Sequence, residues 1–167
     1  PLGFSAAAAV RVGFFLGAGQ PARARLAGWL CIGLSVAVMS GFALTYLTLP
    51  RALLACFTGD PAVVETGVKI LLLVALFQIG DGIQVSTTGA LRGIGNTRAA
   101  MFANLIGHYP IGLALGLTLC FGFKFGVVGM WVGLAAGLIS VATMLLLTWL
   151  RKTRDVSRLG TVANDGR

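Results

Sequence analysis

One carboxylate dominates the chemistry available to this chain. Asp81 is the only acid inside a long apolar run, KILLLVALFQIGDGIQVSTTGALR, which extends from Lys69 to Arg92. Wound as a helix, the run places Gln78, Asp81, Thr88 and Arg92 on one face with Gln84 at its edge; Leu, Val and Ile fill the others. Carboxylate, amide and hydroxyl oxygens gathered this way can hold a proton or a small cation. Helical rise puts Asp81 roughly 18 Å from Lys69 and roughly 16 Å from Arg92, and the hydrocarbon core of a bilayer is about 30 Å thick. The acid would then lie near the middle of a membrane. Holding it there costs at least about 2.5 kcal/mol, so the default reading is an ion or proton site turned toward a bundle interior. The alternative is a structural acid hydrogen-bonded to a neighbouring helix. Gly80 and Gly82 flank it and allow a bend or the close approach of another backbone.

A second polar group lies downstream. Asn104 and His108 are four residues apart, hence on one helical face, with Tyr109 and Pro110 beside them. These three, Asn104, His108 and Tyr109, are candidates for lining a cavity, and Pro110 predicts a kink. His108 is the only histidine. Its near-neutral titration suits a proton relay, but with no identified partner it reads first as a hydrogen-bonded packing residue. Cys31, Cys56 and Cys120 lack metal-ligand spacing, and no Cys, His or carboxylate cluster supports a metal site. With one His, no paired carboxylates in a span and no nucleophile elbow, the chain does not read as an enzyme. The segment Gly93-Ile94-Gly95-Asn96-Thr97 lacks the Gly-Lys-Ser/Thr ending of a phosphate loop and reads as a tight turn with a helix cap.

The elements that must position these residues are membrane spans. Of 167 residues, 57% are hydrophobic and 11% charged, against about 25% charged in a soluble domain. The mean hydropathy is +0.91. The net charge of +8 does not point to nucleic acid, because the basic residues stand at the ends of apolar segments rather than along one face. An all-α integral membrane fold follows, with a partial span at 1–17 and full spans at about 27–49, 63–91, 98–120 and 126–150. Asp60 and Pro61 offer an N-cap and a first helical residue for the second full span. Residues 151–167 read as a basic tail, disordered toward its end. Arg23, Arg25, Arg92, Arg98, Arg151, Lys152 and Arg154 mark one side, while the alternate loops carry only Arg51, Asp60 and Lys124. The positive-inside rule puts the first set, and the C-terminus, in the cytoplasm of a multi-pass protein of the cell's inner (plasma) membrane. Gly13 and Gly17, Gly112 and Gly116, and Gly129, Gly133 and Gly137 give faces where helices can approach closely. Trp29, Trp131 and Trp149 read as bilayer anchors or packing residues, Trp149 fitting an interfacial belt best.

Three stretches resemble the signatures of multidrug and toxic compound extrusion (MATE) transporters in the NorM-like branch. They are Arg11-Val12-Gly13-Phe14-Phe15-Leu16-Gly17-Ala18-Gly19; then Phe77-Gln78-Ile79-Gly80-Asp81-Gly82-Ile83-Gln84, continuing through Gly89-Ala90-Leu91-Arg92-Gly93-Ile94-Gly95-Asn96-Thr97; and Asn104-Leu105-Ile106-Gly107-His108-Tyr109-Pro110-Ile111-Gly112, followed by Gly126, Trp131 and Gly133. The match covers residues 5–150 in the correct order. Ala114 stands where the family carries a proline, while Pro110 precedes that position.

The resemblance implies a twelve-helix, two-lobed transporter, of which this chain would supply about helices 8 to 12 in the C-terminal lobe. The missing N-terminal lobe of the same protein and membrane lipid would be its partners. It implies a secondary antiporter exporting cationic or amphiphilic drugs in exchange for H⁺ or Na⁺, with no cofactor besides that ion. Asp81 matches the acidic residue implicated in cation coupling, and Gln78 and Gln84 match polar neighbours. Gln78, Gln84 and Thr88 would supply oxygen ligands or hydrogen bonds. Two rival readings stand beside this one. A lipid-linked saccharide flippase of the same superfamily would want several Arg in a central cavity, where only Arg92 and Arg11 approach. A non-transporting membrane subunit would leave Asp81 as an unexplained cost.

Overall fold

The computed structural model describes residues 1–154, and within them every element is a helix. The disorder expected toward the end of the basic tail falls on residues 155–167, which lie outside the described residues. The helices are α1 (Leu2–Gly17), α2 (Pro21–Thr48), the short α3 (Pro50–Ala55), α4 (Pro61–Gly93), α5 (Thr97–Gly122) and α6 (Gly126–Thr153). Four of them, α2, α4, α5 and α6, are long and apolar enough to cross a bilayer.

Local chemistry sets the boundaries. Pro21, Pro50 and Pro61 each stand in a first helical turn, where the missing N–H loses no bond. Leu49, the residue before Pro50, leaves helical geometry and separates α2 from α3. Asp60 caps α4 by accepting from the Ala62 N–H at 2.9 Å. Asn96 caps α5 by accepting from Ala99 at 3.3 Å, after a turn in which Gly95 takes φ +76°. α6 continues through Thr153, past the boundary drawn at 150. Arg151 and Lys152 in its last turn complement the helix dipole, and the buried Thr153 hydroxyl donates to the Trp149 carbonyl.

α4 is the central post. At 33 residues it is about 50 Å long, well over a bilayer core, so its first turns, with the exposed Glu65–Lys69 ion pair, project beyond the apolar zone. α1 runs parallel to it: a Cβ on Gly89 would meet the Ser5 carbonyl, and one on Gly93 would meet Ala9 and Val12. α2 runs antiparallel, with Gly82 against Ser35 and Met39. α6 packs on a further flank, where Gly80 meets Leu138 and Ile139, and the Phe77 and Trp131 rings stack 6.2 Å apart. α5 lies antiparallel along α6, Gly107, Gly112 and Gly116 facing Gly137, Gly133 and Met130. With no hydrophobic drive between helices in lipid, such close backbone contact is the adhesive.

Two expectations change. Trp149 is no belt residue: it is fully buried in the core, its ring against Gly28 of α2. The missing side chain at Gly28 is what makes room for the indole. Pro110 does not simply kink α5. It lies inside a π-helical stretch, Gly107–Leu113, and a second π stretch covers Thr118–Gly122. The wider winding pairs N–H groups with carbonyls five residues back, as at Ala114 to Tyr109 and Phe123 to Thr118 (3.1 Å).

Candidate functional site

Asp81 lies in the C-terminal half of α4, midway between Lys69 and Arg92, and is half-buried. Among the described residues the one ion pair is Glu65–Lys69, so no basic side chain neutralises the acid. Immediately after it, the Gly82 carbonyl accepts from two hydroxyls, Ser35 of α2 at 3.1 Å and Ser86 one turn further along α4. This pins α2 to α4 beside the acid. It also requires glycine at 82, because a Cβ there would come within 2.8 Å of Met39 Cγ.

The polar face expected on α4 divides among its neighbours. Gln78 is half-buried and its Nε2 donates to Met39 Sδ at 3.4 Å, toward α2. Gln84 turns the other way, and its Nε2 donates to Asn104 Oδ1 of α5 at 3.0 Å. The Gln84 Oε1 is buried with no donor among the described residues. Thr88 is buried one turn nearer the basic end, and Arg92 is exposed. The structure thus sets Asp81 between two amides that reach different helices.

Asn104 is a junction. Its Oδ1 accepts from Gln84, its Nδ2 donates to the Ala100 carbonyl at 2.7 Å, and its own carbonyl is 3.2 Å from His108 Nδ1. His108 therefore has a hydrogen-bond partner inside its own helix. Asn104, His108 and Tyr109, with Met101 and Leu105, line one shallow open groove along α5. No group of three or more His, Cys, Asp or Glu side chains able to hold a metal occurs among the described residues.

Ser35, Met39 and Ser86 are site neighbours that the sequence reading did not single out. A signal existed in α2: Gly28, Ile32, Ser35, Met39 and Ala43, all buried, repeat at steps of three and four. That stripe marks the face turned into the bundle, and its one hydroxyl and one thioether are the groups that meet Gly82 and Gln78 of α4.

Comparison with known proteins bears on this arrangement. A "Probable multidrug resistance protein NorM" from Brucella suis biovar 1 is 42% identical over 162 residues, which cover 94% of this chain and 34% of that protein. A "Multidrug resistance protein NorM" from Burkholderia vietnamiensis is 42% identical over 161 residues, covering 93% and 35%. The crystal structure of the eukaryotic MATE transporter AtDTX14 superposes with a TM-score of 0.78 at 27% identity, over 95% of this chain and 37% of that one. The chain thus spans about a third of the length of the curated relatives it matches. The sequence model of the MatE family matches residues 1–118, most of the chain and all of the α4 site, and the chain belongs to that family.

Proposed function

We propose that this chain is part of a cation-coupled multidrug exporter and that Asp81 is a coupling carboxylate. The relatives named above are described as multidrug resistance proteins. The observation that carries the reading is an acid half-buried within an apolar helix and in ion-pair contact with no Lys, Arg or His side chain among the described residues. Such a group is a standing demand for a proton or a metal cation. In general burial favours a neutral carboxyl and a nearby cation favours the charged one, so a proton, Na⁺ or an organic cation can each satisfy the site. Exchange follows if the occupants favour different arrangements of the helices. Gln78 Oε1 and the unpartnered Gln84 Oε1 are the amide oxygens nearest in sequence, and either one can join Asp81 on a cation. The basic ends of α4, α5 and α6 would face the cytoplasm of the inner membrane, and the remainder of the protein would supply the opposing lobe.

The test is Asp81→Asn in the full-length protein, reconstituted in vesicles with an imposed H⁺ or Na⁺ gradient. Gradient-driven export of a cationic dye should be lost, with folding unchanged by size-exclusion profile. Export that continues at the parental rate and still depends on the gradient would reject Asp81 as the coupling group. Release of protons on adding the dye separates this reading from a saccharide flippase.

A further inference from the structure

Charge is distributed very unevenly between the two ends of the bundle. Eight Lys and Arg residues gather at one end, from the facing ends of α1 and α2, of α4 and α5, and from the last turns of α6, and no acid among the described residues shares that end. Residues 155–167 add two acids and two arginines, whose charges cancel. Seven of the eight cations are exposed, and Arg25 alone is half-buried. Arg23 donates to the Gln20 amide oxygen at 2.9 Å, whereas Arg25 makes neither a side-chain hydrogen bond nor an ion pair among the described residues. Its place in the fold follows from Gly28, three residues on, where α2 receives the Trp149 ring of α6. α2 runs antiparallel to α4 and α6 parallel to it, so a step back from Gly28 and a step on from Trp149 lead the same way. Arg25 and Lys152 each lie about 4.5 Å beyond that contact, on opposite sides of the α2–α6 seam. A half-buried guanidinium lacking an acceptor is costly, and a like charge across the seam adds to the cost. One anion between the two relieves both.

We propose that the α2–α6 seam is a binding site for an anionic phospholipid, with Arg25 and Lys152 holding its phosphate. The planar guanidinium suits two phosphate oxygens at once, and the Lys152 ammonium adds a point charge. The seam favours a lipid over a soluble anion because apolar surface continues from it into the bilayer: Leu30 of α2 and Leu147 of α6 are exposed on the membrane side of the pair. Basic seams between spans at the headgroup level are where such lipids are held, and each Lys or Arg near the surface strengthens the attraction about fivefold. The proposal needs only that the helices span a bilayer. It does not depend on the export reading or on the coupling role of Asp81.

The experiment counts lipid bound to the purified full-length protein in detergent, by native mass spectrometry, as phosphatidylglycerol or phosphatidylcholine with identical chains is titrated in. The parent should bind phosphatidylglycerol at least about fivefold more tightly. Lys152→Gln and Arg25→Gln should each weaken phosphatidylglycerol about fivefold, leaving phosphatidylcholine unchanged. Lys152 is exposed, so its variant tests the site without disturbing the packing around Arg25. Arg51→Gln, an exposed cation at the opposite end, should change neither lipid. Equal affinity of the parent for the two lipids overturns the proposal, as does a preference that survives Lys152→Gln and the double variant, or one that Arg51→Gln reduces as much. Displacement of the lipid by millimolar glycerol phosphate would mark a site for soluble anions and overturns the lipid assignment.

Discussion

Substituting Gly133 by alanine tests the α5–α6 seam, the contact that sets where the groove lies. A Cβ on Gly133 would lie 2.3 Å from both the Cα and N of Gly116 and 2.6 Å from the Gly112 carbonyl oxygen. All three obstacles are backbone, so no rotamer change can relieve them. Reaching ordinary contact at 3.4 Å requires α5 to retreat by about an ångström. A gap of 0.5–1 Å forfeits roughly a quarter to a half of the dispersion energy at each contact. The loss extends along the seam, through Gly112 and Gly137 on one side and Gly129 and Leu119 on the other. Overpacking of this kind costs about 1–3 kcal/mol, and the gain in helix propensity returns at most about 1 kcal/mol. We expect a net loss of about 2 kcal/mol at the upper end of that balance. Gly33→Ala is the matched control: its Cβ would meet nothing within 4 Å, so it takes the propensity gain alone. Both variants of the full-length protein are heated in the same detergent and the surviving monodisperse fraction is read by size exclusion. Gly133→Ala should lose its fold several degrees below Gly33→Ala. Equal or higher thermal stability for Gly133→Ala would refute the close packing of α5 on α6.

Two further substitutions read other parts of the bundle. Trp149→Ala should destabilise by about 3–5 kcal/mol, because a fully buried ring is removed from against Gly28; Trp149→Phe should stay within about 1.5 kcal/mol, since it keeps much of the volume and deletes an N–H with no described partner. Both are scored by denaturation midpoints, and equal midpoints would return Trp149 to the bilayer surface. Gln84→Leu, Asn104→Leu and the double variant form a cycle whose coupling energy should fall near 0.6 and below about 1.7 kcal/mol, the range for hydrogen bonds between membrane helices; a coupling of zero would mean that the 3.0 Å bond does not hold in the membrane.

Much of the fold was legible because lipid imposes simple rules on sequence. Apolar runs of about 20 residues between basic flanks gave the spans, and Asp60-Pro61 and Asn96 gave helix starts through capping chemistry that is local by nature. What remained hidden depended on partners. Trp149 near Arg151 has the composition of an interfacial belt, and only the Gly28 notch on another helix makes it core. The π winding around Pro110 was not readable as such, because a proline in a helix announces a lost backbone bond but not the winding that the chain adopts around it. The α3 helix was missed because six residues are too few to show a period.

The site divides in the same way. The sequence put Gln78, Asp81 and Gln84 on one stretch of helix, but the two glutamines are six residues apart, which turns them about 120° from each other around the axis. They cannot both turn to one ligand while keeping the bonds seen here: one amide is held by Met39 of α2, the other by Asn104 of α5. Asp81 falls between them, and its neighbour Gly82 is tied to α2 through Ser35. On the proposed reading, an occupant of Asp81 that draws on either amide oxygen must compete with or reinforce a contact fixing α2 or α5. A proton, which needs only the carboxylate, makes no such demand, whereas a cation seeking several oxygens does. Only a difference of that kind between occupants can move the helices, because a ligand shifts an equilibrium no further than its preference for one arrangement over the other.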